Sequence, residues 1–98
     1  MSLPVSFRRA ARAEFDEAAL WYEDRQIGLG LQFVQEVEHA IELASTNPQR
    51  FALTHATVRR VQVRRFPYLI YYVHEPTRIV VVAVFHARRD PTIWQQRA

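Results

Sequence analysis

The sequence predicts an α+β fold, with an N-terminal strand, an antiparallel helical hairpin packed on a curved, mainly antiparallel sheet, and a short C-terminal helix. Three observations support this prediction. Apolar residues recur at helical spacing in the first half of the chain, the period changes to two from Val58 onward, and the connecting segments are short. At 98 residues the chain has the size of one small domain, and we expect residues 1–98 to form one.

The first half of the chain predicts one short strand and two helices. Val5–Phe7 is a brief apolar run that favours an opening edge strand. From Ala10 the spacing is helical, and one apolar stripe contains Ala11, Phe15, Ala18, Ala19 and Tyr22. A second apolar stripe contains Phe33, Val37, Ala40, Ile41 and Ala44. The second helix is expected to end at Asn47, because a residue that precedes proline is disfavoured in the α region.

Residues 26–30 connect the two helices. Gly28 and Gly30, the only glycines in the chain, lie in this connection. Glycine adopts positive φ without strain, so both are expected to let the chain reverse. Two helices joined by so short a turn are expected to form an antiparallel hairpin.

The second half predicts three strands and a terminal helix. Residues 49–57 are expected to form a loop. In Val58–Arg65 valines alternate with arginine and glutamine, whereas Leu69–Val73 and Ile79–Phe85 are apolar on both faces, as central strands are. The connection 74–78 is short enough to close a hairpin. Asp90 is expected to be the N-cap of the terminal helix, with Pro91 at the first helical position.

Charge is distributed unevenly along the chain. Residues 1–50 hold 5 arginines and 8 acidic residues, a net charge of −3, whereas residues 51–98 hold 8 arginines and 2 acidic residues, a net charge of +6. All 13 basic residues are arginine. Because guanidinium groups bind carboxylates and phosphates bidentately, the second half of the chain is expected to bind an acidic partner.

The composition excludes several kinds of site. The chain has no cysteine, so a disulfide scaffold, a thiolate metal site and a cysteine nucleophile are excluded. The four histidines lack the spacing of metal ligands, and we expect neither a metal nor a cofactor. No run is long and apolar enough for a signal peptide or a membrane span. We therefore expect a soluble, cytoplasmic protein with no membrane partner.

Several short motifs occur in an order that is specific when they are taken together. They are Ala11 with Glu14 and Phe15, Ala18-x-x-Trp21-Tyr22-Glu23, Gly28-Leu29-Gly30-x-x-Phe33, Asn47-Pro48, Val58-Arg59-Arg60, Arg65-Phe66-Pro67-Tyr68-x-Ile70-Tyr71-Tyr72 and His86-x-Arg88-Arg89-Asp90-Pro91-x-x-Trp94-x-x-Arg97. With these motifs the chain resembles the RelE/ParE superfamily of type II toxin–antitoxin toxins, also called plasmid-stabilisation proteins. The resemblance implies a toxin whose basic surface is covered by a cognate antitoxin.

The resemblance is closer to the ParE branch than to the RelE branch. RelE-like toxins cleave messenger RNA in the ribosome, and they typically use lysines, an arginine where this chain has Tyr68, and a tyrosine where it has Trp94. ParE-like toxins bind DNA gyrase and need no catalytic constellation. The resemblance therefore implies gyrase as the leading target, with the ribosome and its messenger RNA as the alternative. A non-toxic homologue that only binds its partner is a third possibility.

The residues expected to bind the target or the antitoxin are Arg59, Arg60, Arg64, Arg65, Tyr68, Arg88, Arg89 and Trp94. No catalytic residue is assigned for a ParE-like toxin. For a RelE-like nuclease, His86 would be an acid or base, and Arg88 or Arg89 would stabilise the phosphate. Structural roles compete with these functions. One arginine of the pair would bind a helix acid or Asp90, the strand tyrosines would be core residues, and Trp94 would pack the terminal helix on the sheet.

Overall fold

The computed structural model describes residues 2–97, which form five strands and three helices. In chain order these are β1 (Val5–Phe7), α1 (Arg9–Arg25), α2 (Leu29–Thr46), β2 (Leu53–His55), β3 (Val58–Gln62), β4 (Tyr68–Glu75), β5 (Arg78–His86) and α3 (Thr92–Gln95). The strands form one sheet in the order β1-β5-β4-β3-β2. β1 pairs with β5 in parallel, and the other neighbours are antiparallel. The predicted α+β architecture is confirmed.

The two glycines of the hairpin connection have different roles. Gly28 has a φ of +89°, in the left-handed region, and turns the chain as predicted. Gly30 lies inside α2, where a Cβ atom would stand 2.7 Å from the carbonyl oxygen of Ala19. Gly30 therefore permits close packing of α1 on α2, which corrects the prediction that both glycines serve the turn. The Glu23 carboxylate accepts hydrogen bonds of 3.0–3.1 Å from both glycine amides and so satisfies free N–H groups at the start of α2.

The main core lies between the helical hairpin and one face of the sheet. Phe33 of α2 is at its centre, and four aromatic rings surround it at centroid distances of 5.0–6.1 Å: Phe15, Tyr22, Phe66 and Tyr68. Tyr72 of β4 is fully buried beside this cluster, and its hydroxyl donates a hydrogen bond of 2.8 Å to the carbonyl of Pro48. The hairpin is therefore fixed to the sheet mainly by aromatic packing. Within residues 2–97, no helix is both long and apolar enough to cross a membrane.

A second, smaller core covers the opposite face of the sheet. It consists of Val58, Tyr71, Ala83, Phe85 and Trp94. The Trp94 ring stacks on Tyr71 at a centroid distance of 4.1 Å and is 1% exposed. Trp94 therefore packs α3 on the sheet, as predicted. Because both faces are covered, β4 and β5 are apolar on both faces.

Two strands differ from the prediction. Residues 49–57, expected to form a loop, contain β2, which pairs with β3 and is exposed along its length. β3 ends at Gln62 rather than at Arg65, and Arg65 adopts a φ of +70° in the turn toward β4. Both differences arise from strand pairing and turn geometry, which the apolar pattern does not encode.

β5 contains a β-bulge at Val82. Two adjacent residues of β4, Tyr71 and Tyr72, pair with Ala83 and Val81, which leaves Val82 as the extra residue. The extra residue changes the alternation of the side chains that follow it. The strand therefore presents a different set of positions to the helices before and after the bulge.

The bulge decides which residues of β5 face the helical hairpin. Ile79 and Val81 belong to the main core before it, and Val84 belongs to the main core after it. His86, two residues beyond Val84, lies on that same face. Simple alternation along the apolar run of β5 would place His86 on one face with Val80, Val82 and Val84. That interpretation holds for Val84 and is wrong for Val80, because the bulge interrupts the alternation.

Candidate functional site

A groove of about 490 Å³ lies between α1 and the end of the sheet where β4 begins and β5 ends. Aromatic and apolar side chains form most of its wall, among them Trp21, Tyr22, Tyr68 and Val84. Four polar side chains also line it: Glu14, Glu17, His86 and Arg89. A volume of this size is typical of sites that accept a small ligand or the side chains of a partner.

Glu14 links α1 to the uncovered edge of β5. β1 pairs with β5 only as far as Val81, so the backbone groups that follow have no strand beside them on that side. Glu14 Oε1 accepts a hydrogen bond of 3.1 Å from the Val84 amide. Arg97 Nη1 donates a hydrogen bond of 3.2 Å to the Val82 carbonyl. The two side chains therefore satisfy backbone groups that would otherwise need a further strand.

Two arginines pair with Glu14 in different geometries. Arg97 is bidentate, with Nη1 3.1 Å from Oε1 and Nη2 2.9 Å from Oε2. Arg89 makes one contact, of 3.2 Å between Nη1 and Oε2. The Arg97 side chain is 21% exposed and the Arg89 side chain is 44% exposed. Both guanidinium groups also lie over the Phe85 ring, that of Arg97 at 5.3 Å and that of Arg89 at 4.1 Å from the ring centroid.

His86 and Tyr68 are cross-strand neighbours on β5 and β4, with ring centroids 5.4 Å apart. His86 Nδ1 accepts a hydrogen bond of 3.1 Å from the Arg88 amide, so in this arrangement the ring proton is on Nε2. Burial raises the pKa of Tyr68, and the charge of Arg89 lowers it by a smaller amount. Near neutral pH, Tyr68 is therefore a neutral phenol that can donate a hydrogen bond.

Four of the predicted binding residues lie on β3 or just after it. Arg60 and Arg64 are exposed, and neither pairs with an acid in the part of the chain that the structure describes. Arg59 Nη1 donates a hydrogen bond of 2.7 Å to a carbonyl, that of Phe51, and so holds the segment before β2. Arg65 is 60% exposed, and its Nη1 atom is 3.9 Å from a Glu36 oxygen. Arg60 and Arg64 are thus the two cations here that remain open to a partner.

The other predicted binding residues divide between the groove and its surroundings. Tyr68 and Arg89 line the groove together with His86, the residue considered for a nuclease. Arg88 is exposed, and its side chain makes no ion pair with the residues that the structure describes. Trp94 is buried in the smaller core, and its Nε1 atom has no hydrogen-bond partner within residues 2–97. Arg89 binds an acid of α1, the structural role expected for one arginine of the pair.

Sequence reasoning missed three residues of the site, namely Glu14, Trp21 and Arg97. Glu14 lies off the apolar stripe of the first helix, where acids are usually solvated, although its place beside Phe15 at the border of the stripe indicates partial burial. Trp21 lies beside the same stripe, a position that favours covering its border, and it is 52% exposed on the groove. No sequence signal gives the reach of Arg97 to α1, because that contact depends on how α3 lies on the sheet.

The chemistry open to the groove is recognition of an anionic group. Arg89 supplies a cation, and His86 Nε2 and the Tyr68 hydroxyl supply neutral donors. Glu17, which pairs with no arginine among the described residues, opposes the approach of a polyanion. Across residues 2–97, no cluster of three or more histidine, aspartate or glutamate side chains is arranged to hold a metal ion.

Comparison with known protein families gives a match over residues 5–91. The matching model describes the ParE toxin of type II toxin–antitoxin system, parDE. The matched residues include both helices of the hairpin and every strand described above. The chain belongs to the ParE toxin family. The ParE branch inferred from the sequence motifs is thereby confirmed, and membership of this family implies an antitoxin partner.

Solved structures agree with the fold of this ParE-family chain. Ten chains match it. One of them, from the chromosomal ParDE TA system from P. aeruginosa, has a TM-score of 0.72 and 18% sequence identity, and the match covers 87% of this chain and 96% of that chain. At this level of identity the likeness concerns the fold alone. No curated protein matches the chain significantly.

The ParE family match ends before the C-terminal contacts. Glu14, Tyr68 and Arg89 lie within residues 5–91, whereas Trp94 and Arg97 lie beyond them. The bidentate pairing of Arg97 with Glu14 therefore joins a residue inside the matched region to one outside it. The family match therefore does not cover this contact, which is observed in the present ParE-family chain.

Proposed function

We propose that this chain is a toxin that inhibits DNA gyrase by binding rather than by catalysis, and that a cognate antitoxin neutralises it by covering the same basic surface. The proposal rests on one observation beyond family membership. Arg60, Arg64 and Arg88 are exposed, and they pair with no acid among residues 2–97. Unpaired guanidinium groups at the surface favour an acidic protein or nucleic acid partner.

The separation of charge between helices and sheet supports this proposal. All 8 acidic residues of the first half lie in α1 or α2. The open arginines, in contrast, lie on β3 or just after β3 and β5. Such a distribution orients an approaching acidic partner toward the sheet and away from the hairpin.

The groups near His86 favour binding over catalysis. Cleavage through a ribose hydroxyl requires one group that takes a proton and another that gives one. Tyr68 is a neighbouring proton carrier, with its ring centroid 5.4 Å from that of His86, and burial raises its pKa, which makes it a weaker proton donor. Arg89, which would stabilise the phosphate, is paired with Glu14 at 3.2 Å. These features fit a surface that recognises a protein.

Inhibition of gyrase is tested by supercoiling of plasmid DNA in the presence of purified toxin. We expect inhibition or trapped cleavage products. Arg88→Ala and Arg89→Ala should each raise the half-inhibitory concentration by roughly tenfold, the effect of losing a contact of about 1.4 kcal/mol. Arg78→Ala is the matched control, because Arg78 lies at the opposite end of β5 in an exposed pair with Glu75.

Full gyrase activity at saturating toxin would contradict the proposal. The RelE-like alternative then predicts cleavage of messenger RNA on ribosomes, lost in His86→Ala without loss of folding. A non-toxic homologue predicts no growth arrest on induction while binding of the antitoxin is retained. Growth arrest together with unaffected gyrase would therefore direct the next experiments to the ribosome.

A further inference from the structure

Arg89 and Arg97 share the Glu14 carboxylate unequally. Arg97 contacts both carboxylate oxygens, at 2.9 Å and 3.1 Å, and also binds the Val82 carbonyl. Arg89 contacts one oxygen, at 3.2 Å, and more than twice as much of its side chain is exposed. If Arg89 left, Glu14 would keep Arg97 and the Val84 amide as partners. Arg89 is thus the exchangeable member of the network.

Arg89 also lies in the groove, where a bound partner would contact it. It lines the groove together with Trp21, Tyr22 and Tyr68, whose rings form the apolar wall. Trp21 is 52% exposed although it is one of the largest apolar side chains in the chain. Large exposed aromatic side chains beside an arginine are typical of the central contacts of protein interfaces.

We propose that the groove binds an acidic segment of a protein partner, with an apolar side chain of the partner against Trp21 and Tyr68 and a partner carboxylate on Arg89. Glu14 occupies Arg89 in the free protein and competes with the partner for it. This inference rests on the proposed function and deepens it, because Arg89→Ala is one of the variants expected there to weaken inhibition. It specifies the partner group at Arg89 as a protein carboxylate.

A peptide fits the groove better than nucleic acid does. Glu17 lines it and pairs with no arginine among residues 2–97, so its charge repels a chain of phosphates, whereas the charge of Glu14 is balanced by Arg89 and Arg97. A single carboxylate that replaces Glu14 on Arg89 adds one negative charge to the groove, whereas a nucleic acid adds one with every phosphate. The apolar wall is covered only by a partner that also carries an apolar side chain.

The test is a titration of the complete chain by NMR with the blocked tetrapeptide acetyl-Leu-Glu-Phe-Asp-amide, and separately with a duplex DNA oligonucleotide. We expect the peptide to shift the Arg89 Nε–H and Trp21 indole signals. Arg89→Gln should abolish these shifts. Arg78→Gln is the matched control, since Arg78 is also in a single ion pair and 47% exposed, and it should leave them unchanged. Peptide shifts confined to Arg60 and Arg64, or Arg89 shifts with the duplex alone, would overturn the inference.

Competition by Glu14 makes a prediction that a purely structural role does not. Glu14→Gln releases Arg89 and should bind the peptide about two- to fivefold more tightly, the ratio that corresponds to a surface ion pair. Arg97→Gln leaves Glu14 with Arg89 alone and should weaken peptide binding. Both variants should lower the melting temperature. If Glu14→Gln and Arg97→Gln changed the peptide affinity in the same direction, Glu14 would not compete with the peptide for Arg89.

The outcomes for the peptide and for gyrase are independent. Peptide binding at Arg89 with unaffected gyrase would leave this inference standing and remove the proposed target. Inhibition of gyrase with no peptide shift at Arg89 or Trp21 would support the proposed target and overturn the inference about the groove.

Discussion

At the scale of single residues, Glu14 has an unusual number of partners for a carboxylate on a helix rich in acids. Its side chain is 11% exposed, and it accepts hydrogen bonds from one backbone amide and two arginines. Paired burial of this kind is tolerated because each lone pair and each guanidinium finds a partner. Loss of the carboxylate leaves the Val84 amide without a partner and Arg97 with only the Val82 carbonyl.

We therefore expect Glu14→Ala to lower the free energy of unfolding by about 1–3 kcal/mol, the cost of unpaired, partly buried polar groups. Urea denaturation followed by circular dichroism measures this change. Asp16→Ala is the control, because the Arg12–Asp16 pair of α1 is 58% and 57% exposed. Its effect should stay within about 0.5 kcal/mol. An equal effect of the two substitutions would contradict the structural role assigned to Glu14.

The sequence predicts the role of a single side chain only where that role depends on the helix or strand to which the residue belongs. Trp94 was expected to pack α3, and Tyr72 was expected in the core, because strand aromatics are usually buried. Glu14 was not found, because its partners come from β5 and the C-terminal segment. An acid at the border of an apolar stripe has the same sequence signature whether it faces solvent or an arginine.

At the scale of elements, the contact of α1 with α2 depends on Gly30. A Cβ atom there would meet a backbone oxygen at 2.7 Å and Glu23 at 3.0 Å, and backbone cannot move aside as a flexible side chain can. We expect Gly30→Ala to destabilise the protein by about 1–3 kcal/mol, in spite of the better helix propensity of alanine.

Thermal and urea denaturation of Gly30→Ala measure this effect. Gln35→Ala is a suitable control, since this position is exposed on the same helix. Unchanged or increased stability of Gly30→Ala would mean that the helices separate without cost. Because the clash is with backbone, Gly30→Ser should be destabilised as well.

α3 begins at Thr92, one residue later than predicted, with Pro91 before it, and the Asp90 side chain still reaches this first helical residue. Its Oδ1 atom accepts hydrogen bonds from the Thr92 amide at 3.0 Å and the Thr92 hydroxyl at 2.8 Å, as a capping side chain does. The backbone hydrogen bond, followed by the side-chain one, lowers the pKa of Asp90. A lowered pKa in the folded state means that Asp90 stabilises α3 above the ordinary aspartate pKa. This stabilisation is lost as the pH falls through the lowered value.

We expect an NMR titration of the Asp90 carboxyl carbon to give a midpoint below that of an aspartate in an unstructured peptide. The Thr92 amide signal should move with the same midpoint. Thr92→Val, which removes the hydroxyl and keeps the amide, should raise the midpoint in part. An Asp90 midpoint at or above the peptide value would contradict the capping interaction.

Most elements could be predicted from the sequence, and the exceptions have identifiable causes. The helices and the two central strands are set by their own apolar patterns. β2 was missed because its residues are exposed and the strand exists only through pairing with β3. The bulge was missed because residues 79–85 are apolar throughout, so the run contains no alternation whose phase could change.

At the scale of the whole molecule, two cores share one sheet. The main core joins the hairpin to β3, β4 and β5, and the smaller core joins α3 to the same strands. The pairing of Glu14 with Arg97 links the hairpin to the C-terminal segment. We propose that residues 1–98 are a single folding unit, as the length of the chain suggests.

A single unit should unfold in one cooperative transition. Trp21 is exposed on α1 and Trp94 is buried under α3, so their fluorescence reports on opposite faces of the sheet. In Trp21→Phe and Trp94→Phe, the remaining tryptophan should give a urea midpoint that coincides with the midpoint from far-UV circular dichroism of the same variant. Separate midpoints in Trp21→Phe would mean that α3 detaches before the sheet unfolds.

The bulge at Val82 gives β5 one residue more than its pairing with β4 requires. If Val82 were deleted, Val81 and Ala83 would become adjacent opposite Tyr72 and Tyr71, and the two strands would pair in one regular register. Each later side chain would keep its side of the sheet, so His86 would stay in the groove and Phe85 in the small core. A gap of one position at this place in a sequence comparison would therefore signify a protein with a regular terminal strand and unchanged faces.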